Sequence, residues 1–335
     1  MYIFLLILFW LFCLWFCVSG TLKYIRVLRA FDKIVSANPK CPYNISWEGF
    51  ELPRKTKRMP DHELLIRSIL IGPVRFGLFI ISILTMMTLI AIAGRRYSHS
   101  ISKYMSRVTL MILGLELVVS GSLAEPTKAP LIVANHVGMI DVFVLLALDG
   151  MSFVADNAIR RFFIIGRIWG YVAEMIDCLF LSRSNESSRQ QVRTQLMERI
   201  REISAGQKPR LAIFPEGTTS NGRGILSFKY GAFEGMTTCV QPVTLNYSNK
   251  EWGYCSVWSE VYFAYIMSLP RSKITVNILP PQSAQADDTP QTYGDRVREM
   301  MLGESSSNNK LLDFQHIHNP SRTHNHIGAI LDRHT

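Results

Sequence analysis

Two apolar blocks in the first hundred residues limit what this chain can fold into more than any other feature. Residues 2–18 are apolar almost without break, and Phe76 to Ala93 form a second block that closes on Gly94-Arg95-Arg96. A run of about 17–25 apolar residues can cross a bilayer as a helix. No basic segment precedes the first block, and Val18-Ser19-Gly20 is only a fair cleavage site. Residues 1–20 therefore read as a retained membrane anchor rather than a removed signal peptide. Between the blocks, residues 21–68 carry ten Lys or Arg, with Arg54, Lys55, Lys57 and Arg58 clustered. Pro39, Pro42, Pro53 and Pro60 argue against a continuous helix there. This stretch reads as a basic linker that can touch anionic headgroups. A weaker apolar segment, Val108 to Val119, is too short to span and reads as a buried helix, an interfacial helix or the return arm of a re-entrant hairpin. Residues 69–114 are expected to form membrane-embedded or interfacial helices. The positive-inside rule places 21–68 in the cytoplasm. Whether the second block spans or returns then decides the side of everything after it, and the sequons at Asn44, Asn185 and Asn246 offer a test.

Composition agrees with a membrane protein that has a globular part. Of 335 residues, 48% are hydrophobic and 19% charged, against about 25% charged in soluble domains. The net charge of +10 favours an anionic partner. With no zinc-finger spacing, basic heptad or aromatic RNA-binding signature, a lipid surface is expected and nucleic acid is not. The cysteines at 13, 17, 41, 178, 239 and 255 are too scattered for a disulfide framework, and no metal site is expected.

Residues 115–280 have a different pattern. Short apolar runs at 131–135, 177–181, 210–214, 239–245 and 274–279 read as buried strands. Residues 186–203 place Val192, Leu196, Met197, Ile200 and Ile203 at helical spacing. Strands alternating with helices imply an α/β domain, a mixed sheet flanked by helices, behind the N-terminal membrane helices. Residues 281–335 form a C-terminal extension whose tail is rich in Ser, Asn and His and reads as solvated.

Four segments within 115–280 carry the chemistry. In Asn135-His136-Val137-Gly138-Met139-Ile140-Asp141, a histidine follows a strand with a carboxylate five positions on. On one helix five residues turn the chain by about 500°, so the pair can meet only across a strand-to-helix turn. A carboxylate so placed fixes the imidazole tautomer and equips His136 as a general base. Alone, the spacing fits a structural histidine better than a base. Cys178-Leu-Phe-Leu-Ser-Arg183 delivers Arg183 past the end of a strand, suited to phosphate or to a surface pair with Glu186. Phe214-Pro215-Glu216-Gly217-Thr218-Thr219-Ser220 turns the chain after another strand. Its hydroxyl and amide donors suit a phosphate or oxyanion, and Glu216 suits either the histidine side or substrate hydroxyls. Lys229 follows near the same edge. In Val240-Gln-Pro242-Val243, a proline within a strand argues for an edge position, a bulge or a substrate contact.

Asn135-His136-x4-Asp141, Phe180-x2-Arg183, Phe214-Pro-Glu-Gly-Thr218 and Val240-x-Pro-Val243, in this order, resemble the four motifs of the glycerophospholipid acyltransferase family. The run from Phe214 to Phe233 is similar to its lysophosphatidylcholine and lysophosphatidylethanolamine acyltransferase branch. Cys178 and Ser220 depart from the commonest choices, and no calcium-binding loop follows in this sequence. The resemblance implies transfer of a fatty acyl group from acyl-CoA, a co-substrate, to a lysophospholipid hydroxyl, with no bound cofactor. It implies His136 as base, Asp141 as its orienter, and Arg183, Glu216, Gly217, Thr218 and Lys229 as acceptor-binding groups. It also implies a bilayer partner and an endoplasmic reticulum address. Lysophosphatidic acid or glycerol 3-phosphate is the alternative acceptor, and a catalytically silent membrane scaffold or a hydrolase is the reading from another class. Head group, acyl-chain preference and oligomeric state are open.

Overall fold

A computed structural model describes residues 2–37, 59–156, 170–181, 186–220, 222, 224–234, 239–253 and 259–304. Seven strands form one mixed sheet: β1 (Leu115–Ser120), β2 (Leu131–Ala134), β3 (Ser152–Asp156), β4 (Leu179–Leu181), β5 (Leu211–Ile213), β6 (Val240–Tyr247) and β7 (Ser272–Ile278). Their order across the sheet is β1-β7-β6-β2-β5-β3-β4. Every neighbouring pair is parallel except β6 with β7. The carboxyl ends of β2 to β6 therefore share one rim with the amino ends of β1 and β7.

Both faces are covered, which is why β2 is buried throughout and reads as an unbroken apolar run. Its period-two alternation sends Ile132 and Ala134 into one core and Leu131 and Val133 into the other. The first core is completed by α1 (Tyr2–Ala37), α3 (Gly72–Ala93), α4 (Arg95–Leu113), α5 (Asp141–Asp149) and α7 (Ser259–Ser268). The second is closed by α6 (Glu186–Ser204) and α8 (Pro290–Glu304). A short α2 (Asp61–Leu70) precedes α3.

Three expectations change. The stretch expected as a linker from residue 21 begins as helix: α1 continues to Ala37 because its second half has a partner. Tyr24 stacks on Tyr265 of α7 at 3.9 Å, and Ile25, Val27 and Leu28 are buried, while Lys23, Arg26 and Arg29 stay on the exposed face. The basic cluster at 54–58 lies outside the described residues, as does the tail from 305. Val108 to Val119 is not one helix. It breaks at Gly114, whose φ of 77° lies in the left-handed region, and resumes as edge strand β1. Pro242 lies in a central strand, not an edge. Val243 faces Ile278 and Val240 faces Gln282, so one extra residue is taken up on the partner side, where Pro280 and Pro281 follow Leu279. The missing N–H of Pro242 is absorbed by this bulge.

Two helical stretches, Tyr2–Ala30 and Gly72–Ala93, are long and apolar enough to cross a membrane. They pack antiparallel: Gly72 approaches Cys17, Gly77 approaches Trp10, and Phe16 stacks on Phe76 at 4.3 Å. After Gly94 the chain turns back as α4, and Ser82 and Thr109 hydroxyls pair at 3.2 Å. Arg107 then ties α4 to the carbonyl of Ala147 on α5 at 2.9 Å. The outward side of α3 exposes Leu78, Ile81, Leu84 and Ile92.

Candidate active site

The turn between β2 and α5 is organised by one carboxylate. Asp141 begins α5, is fully buried, and curls back over the preceding loop. Its Oδ2 accepts from Val137 N–H at 2.6 Å, Gly138 N–H at 2.8 Å and His136 Nδ1 at 2.9 Å. Its Oδ1 accepts from the Tyr247 hydroxyl at 2.6 Å. The pair does meet across a strand-to-helix turn. Gly138 contributes its amide rather than a left-handed conformation. Because a carboxylate only accepts, Nδ1 carries the proton and the lone pair is left on Nε2. The His136 ring lies face to face with Phe214, centroids 4.0 Å apart, and its side chain keeps 18% exposure.

Glu216 braces the same loop from β5. Its Oε1 accepts from His136 N–H at 2.6 Å and its Oε2 from Leu226 N–H at 2.8 Å, and the residue is buried. Of the two tasks the sequence leaves open for it, these contacts belong to the histidine side: both oxygens are spent on backbone amides rather than turned outward. Burial pushes its carboxyl up to about 8 from 4.5, helped by the charge of Asp141 and opposed by the two amides and by Arg298. The native state then holds a proton that the unfolded chain has released between those values, so stability falls as pH rises through that window. The expected result is a steeper drop in thermal midpoint from pH 5.5 to 8.5 for the wild type than for Glu216→Gln. Equal slopes for the two proteins would count against it.

Gly217 adopts a φ of 66°, and a Cβ there would meet Lys229 Nζ at 2.6 Å, so the lysine lies directly over the glycine. Lys229 is also held by its N–H to Pro215 O at 2.7 Å. Thr218 follows, half-buried, on the same loop. Ser220 closes the loop onto the first one, its N–H donating to His136 O at 2.8 Å. His136, Asp141, Glu216, Gly217, Thr218 and Lys229 thus gather at the carboxyl rim of the parallel strands, where α/β sheets bind ligands. Arg183 lies outside the described residues; β4, two residues before it, ends on this rim.

Sequence reasoning missed Tyr247, gave Asn135 no task beyond its place in the first motif, and offered the donors of Ser220 to a phosphate or oxyanion, whereas its N–H goes to His136 O. Asn135 locks β2 to β6 by a reciprocal pair with Leu245, 3.0 Å and 2.7 Å. Tyr247 stands 106 positions from its partner, and only its place at the end of the Pro242 strand points to it. Burial first, and then the charge of Asp141, raises its phenol well above 10, which keeps it a donor. Tyr247→Phe strands a buried carboxylate oxygen, at a cost of about 1–3 kcal/mol. The expected result is a thermal midpoint below that of the wild type, and an unchanged midpoint would count against this role for the hydroxyl.

Residues 116–246 match the family model named Acyltransferase. The rat protein named lysophosphatidylcholine acyltransferase 2 is 27% identical over 215 residues, 62% of this chain and 38% of its own length. Human lysophosphatidylcholine acyltransferase 1 is 30% identical over 210 residues, and the Arabidopsis thaliana protein named lysophospholipid acyltransferase LPEAT1 is 29% identical over 191. Over this segment the chain is similar to these lysophospholipid acyltransferases. The matched segment holds all four motif segments, and the chain spans less than half the length of these relatives, 38% of the rat and human proteins and 46% of the Arabidopsis thaliana one. A solved structure, the 1-acyl-sn-glycerophosphate acyltransferase PlsC from Thermotoga maritima, aligns with a TM-score of 0.47 at 17% identity, over 85% of this chain and 95% of that one.

Proposed function

We propose that this protein is a membrane-bound acyltransferase that moves a fatty acyl group from acyl-CoA to the free hydroxyl of a lysophospholipid. The observation that carries the reading is the buried chain Tyr247–Asp141–His136, which leaves Nε2 as the one unprotonated nitrogen of a partly exposed imidazole on the ligand-binding rim. In the reaction, Nε2 takes the hydroxyl proton as the oxygen attacks the thioester carbonyl. The tetrahedral intermediate then collapses, the C–S bond breaks, and the CoA thiolate leaves and takes up the proton from the imidazolium. Asp141 stabilises that imidazolium, and no acyl-enzyme forms. Arg183, Thr218 and Lys229 hold the acceptor phosphate, Gly217 lets it approach the backbone, and Glu216 acts as a positioning residue behind His136. The reaction as written calls for no bound cofactor. The apolar surfaces of α1 and α3 lie in the bilayer, of the endoplasmic reticulum by the family's usual address, so acyl chains reach the rim from lipid rather than water.

The test is to incubate membranes containing the protein with labelled oleoyl-CoA and, in separate reactions, lysophosphatidylcholine, lysophosphatidylethanolamine, lysophosphatidic acid and glycerol 3-phosphate. Label in a diacyl phospholipid supports the reading, and the most active acceptor names the head group. Free oleate as the main product would replace it with a hydrolase. Transfer no greater than in membranes lacking the protein would leave a silent scaffold.

A further inference from the structure

Three arginines from separate elements converge where the apolar helices join the domain. Arg67 of α2 donates from Nε to Ser268 O at 2.7 Å and from Nη2 to Leu269 O at 3.1 Å. Arg75 of α3 donates from Nη1 to the same Leu269 oxygen and to Met267 O at 3.4 Å. Arg271 lies beside Arg75: a Cβ on Gly114 would meet Arg75 Nη2 at 2.6 Å and Arg271 Cγ at 3.2 Å. Among the described residues no ion pair joins any of the three to a carboxylate. Arg67 and Arg75 share the carboxyl end of α7, and a helix terminus offers only about half a negative charge. More than two positive charges are left over. Arg271 is exposed and the other two are half-buried.

The surroundings say which anion. Ile69 and Leu70 on α2 and Val74 and Leu78 on α3, within a turn or so of Arg67 and Arg75, are exposed. A soluble anion gains nothing from such neighbours, whereas a phospholipid places its phosphate on the arginines and its chains along the apolar side. We propose that Arg67, Arg75 and Arg271 form a binding site for the phosphate of an anionic phospholipid, separate from the acceptor site. The proposal rests on the membrane-bound reading above and not on the chemistry at His136.

The separation follows from the sheet. Arg271 immediately precedes β7, and Ile274 of β7 pairs with Tyr247 at the end of β6, which neighbours β2. The arginines therefore lie on the same rim as His136, displaced by two strand spacings, about 10 Å. The free hydroxyl of a lysophospholipid is only a few bonds from its phosphorus, so one molecule does not fill both places. The lipid on the arginines is a resident one that holds the reactive rim against the headgroup layer.

Native mass spectrometry of the full-length chain in neutral detergent tests this by titrating phosphatidylglycerol, phosphatidylcholine, inorganic phosphate and CoA separately. Phosphatidylglycerol is expected to saturate a site at a concentration at least tenfold below phosphatidylcholine. Among the described residues Arg271 makes none of the bonds that cap α7, so Arg271→Gln is the variant that keeps the fold. It is expected to raise the half-saturating phosphatidylglycerol concentration about tenfold, and Arg271→Lys to recover part of that loss. His136→Ala is expected to bind the lipid like wild type, so a failed reaction mechanism and a failed lipid site give different results. Equal binding of the two lipids to wild type would overturn the proposal, as would an unaltered Arg271→Gln. Displacement of phosphatidylglycerol by CoA or phosphate at comparable concentration would also overturn it, by making the site one for soluble phosphates.

Discussion

Replacing His136 with alanine is expected to lower acyl transfer by about 10²–10⁴-fold, the range that a positioned general base contributes. The fold should survive, because what ties this residue into the structure is mostly backbone. Its N–H still reaches Glu216 and its carbonyl still accepts from Ser220. What the substitution removes is the ring, its face-to-face contact with Phe214 and its bond to Asp141. The ring contact is worth about 0.5–1.5 kcal/mol. A small fall in thermal midpoint should therefore accompany a very large fall in rate. Initial rates with labelled acyl-CoA, at matched amounts of folded protein, check both. Transfer within a few-fold of wild type would show that the hydroxyl is deprotonated elsewhere, and a midpoint that collapses would make His136 a structural residue.

The central strands β2 and β5 were legible because burial on both faces leaves nothing but apolar residues, as in Leu131-Ile-Val-Ala134. The relation of His136 to Asp141 was legible for a geometric reason: helical periodicity forbids a shared face, and only a turn permits contact. The rest needed tertiary partners. Glu216 looks like a substrate ligand in a Pro-Glu-Gly-Thr turn because residue type says nothing about which amides its oxygens will find. Tyr247 carries no local signal, since its importance comes from β6 lying beside β2 and delivering a hydroxyl to a carboxylate from another part of the chain. The second half of α1 reads as a polar linker because the residues that bury its Tyr24 face belong to α7. In the segment from Val108 to Val119 an apolar run crosses a helix end and an edge strand, and Gly114 was the only mark of the change.

Asp141→Asn is expected to reduce transfer about as severely as loss of the histidine, by roughly 10³–10⁴-fold, with a stability cost that His136→Ala does not share. The carboxylate accepts four hydrogen bonds inside a fully buried pocket, three of them on Oδ2. An amide has one oxygen. Turned so that this oxygen meets Val137, Gly138 and His136, it presents its NH2 to Tyr247, which must then rotate from donor to acceptor. Turned the other way, it sets N–H groups against N–H groups. Either way the charge that would stabilise the imidazolium is gone, and bonds to a charged acceptor become neutral ones. At about 1.5–3 kcal/mol for a charged bond against 0.5–1.5 for a neutral one, the loss over the four bonds is about 4–6 kcal/mol. The decisive measurement is the double variant. If Asp141 works only through the imidazole, His136→Ala with Asp141→Asn should transfer acyl groups no more slowly than His136→Ala alone, while melting lower. Groups that act as a unit lose their effect together. A further fall of tenfold or more in the double variant would mean that Asp141 reaches the reacting atoms by a route other than His136.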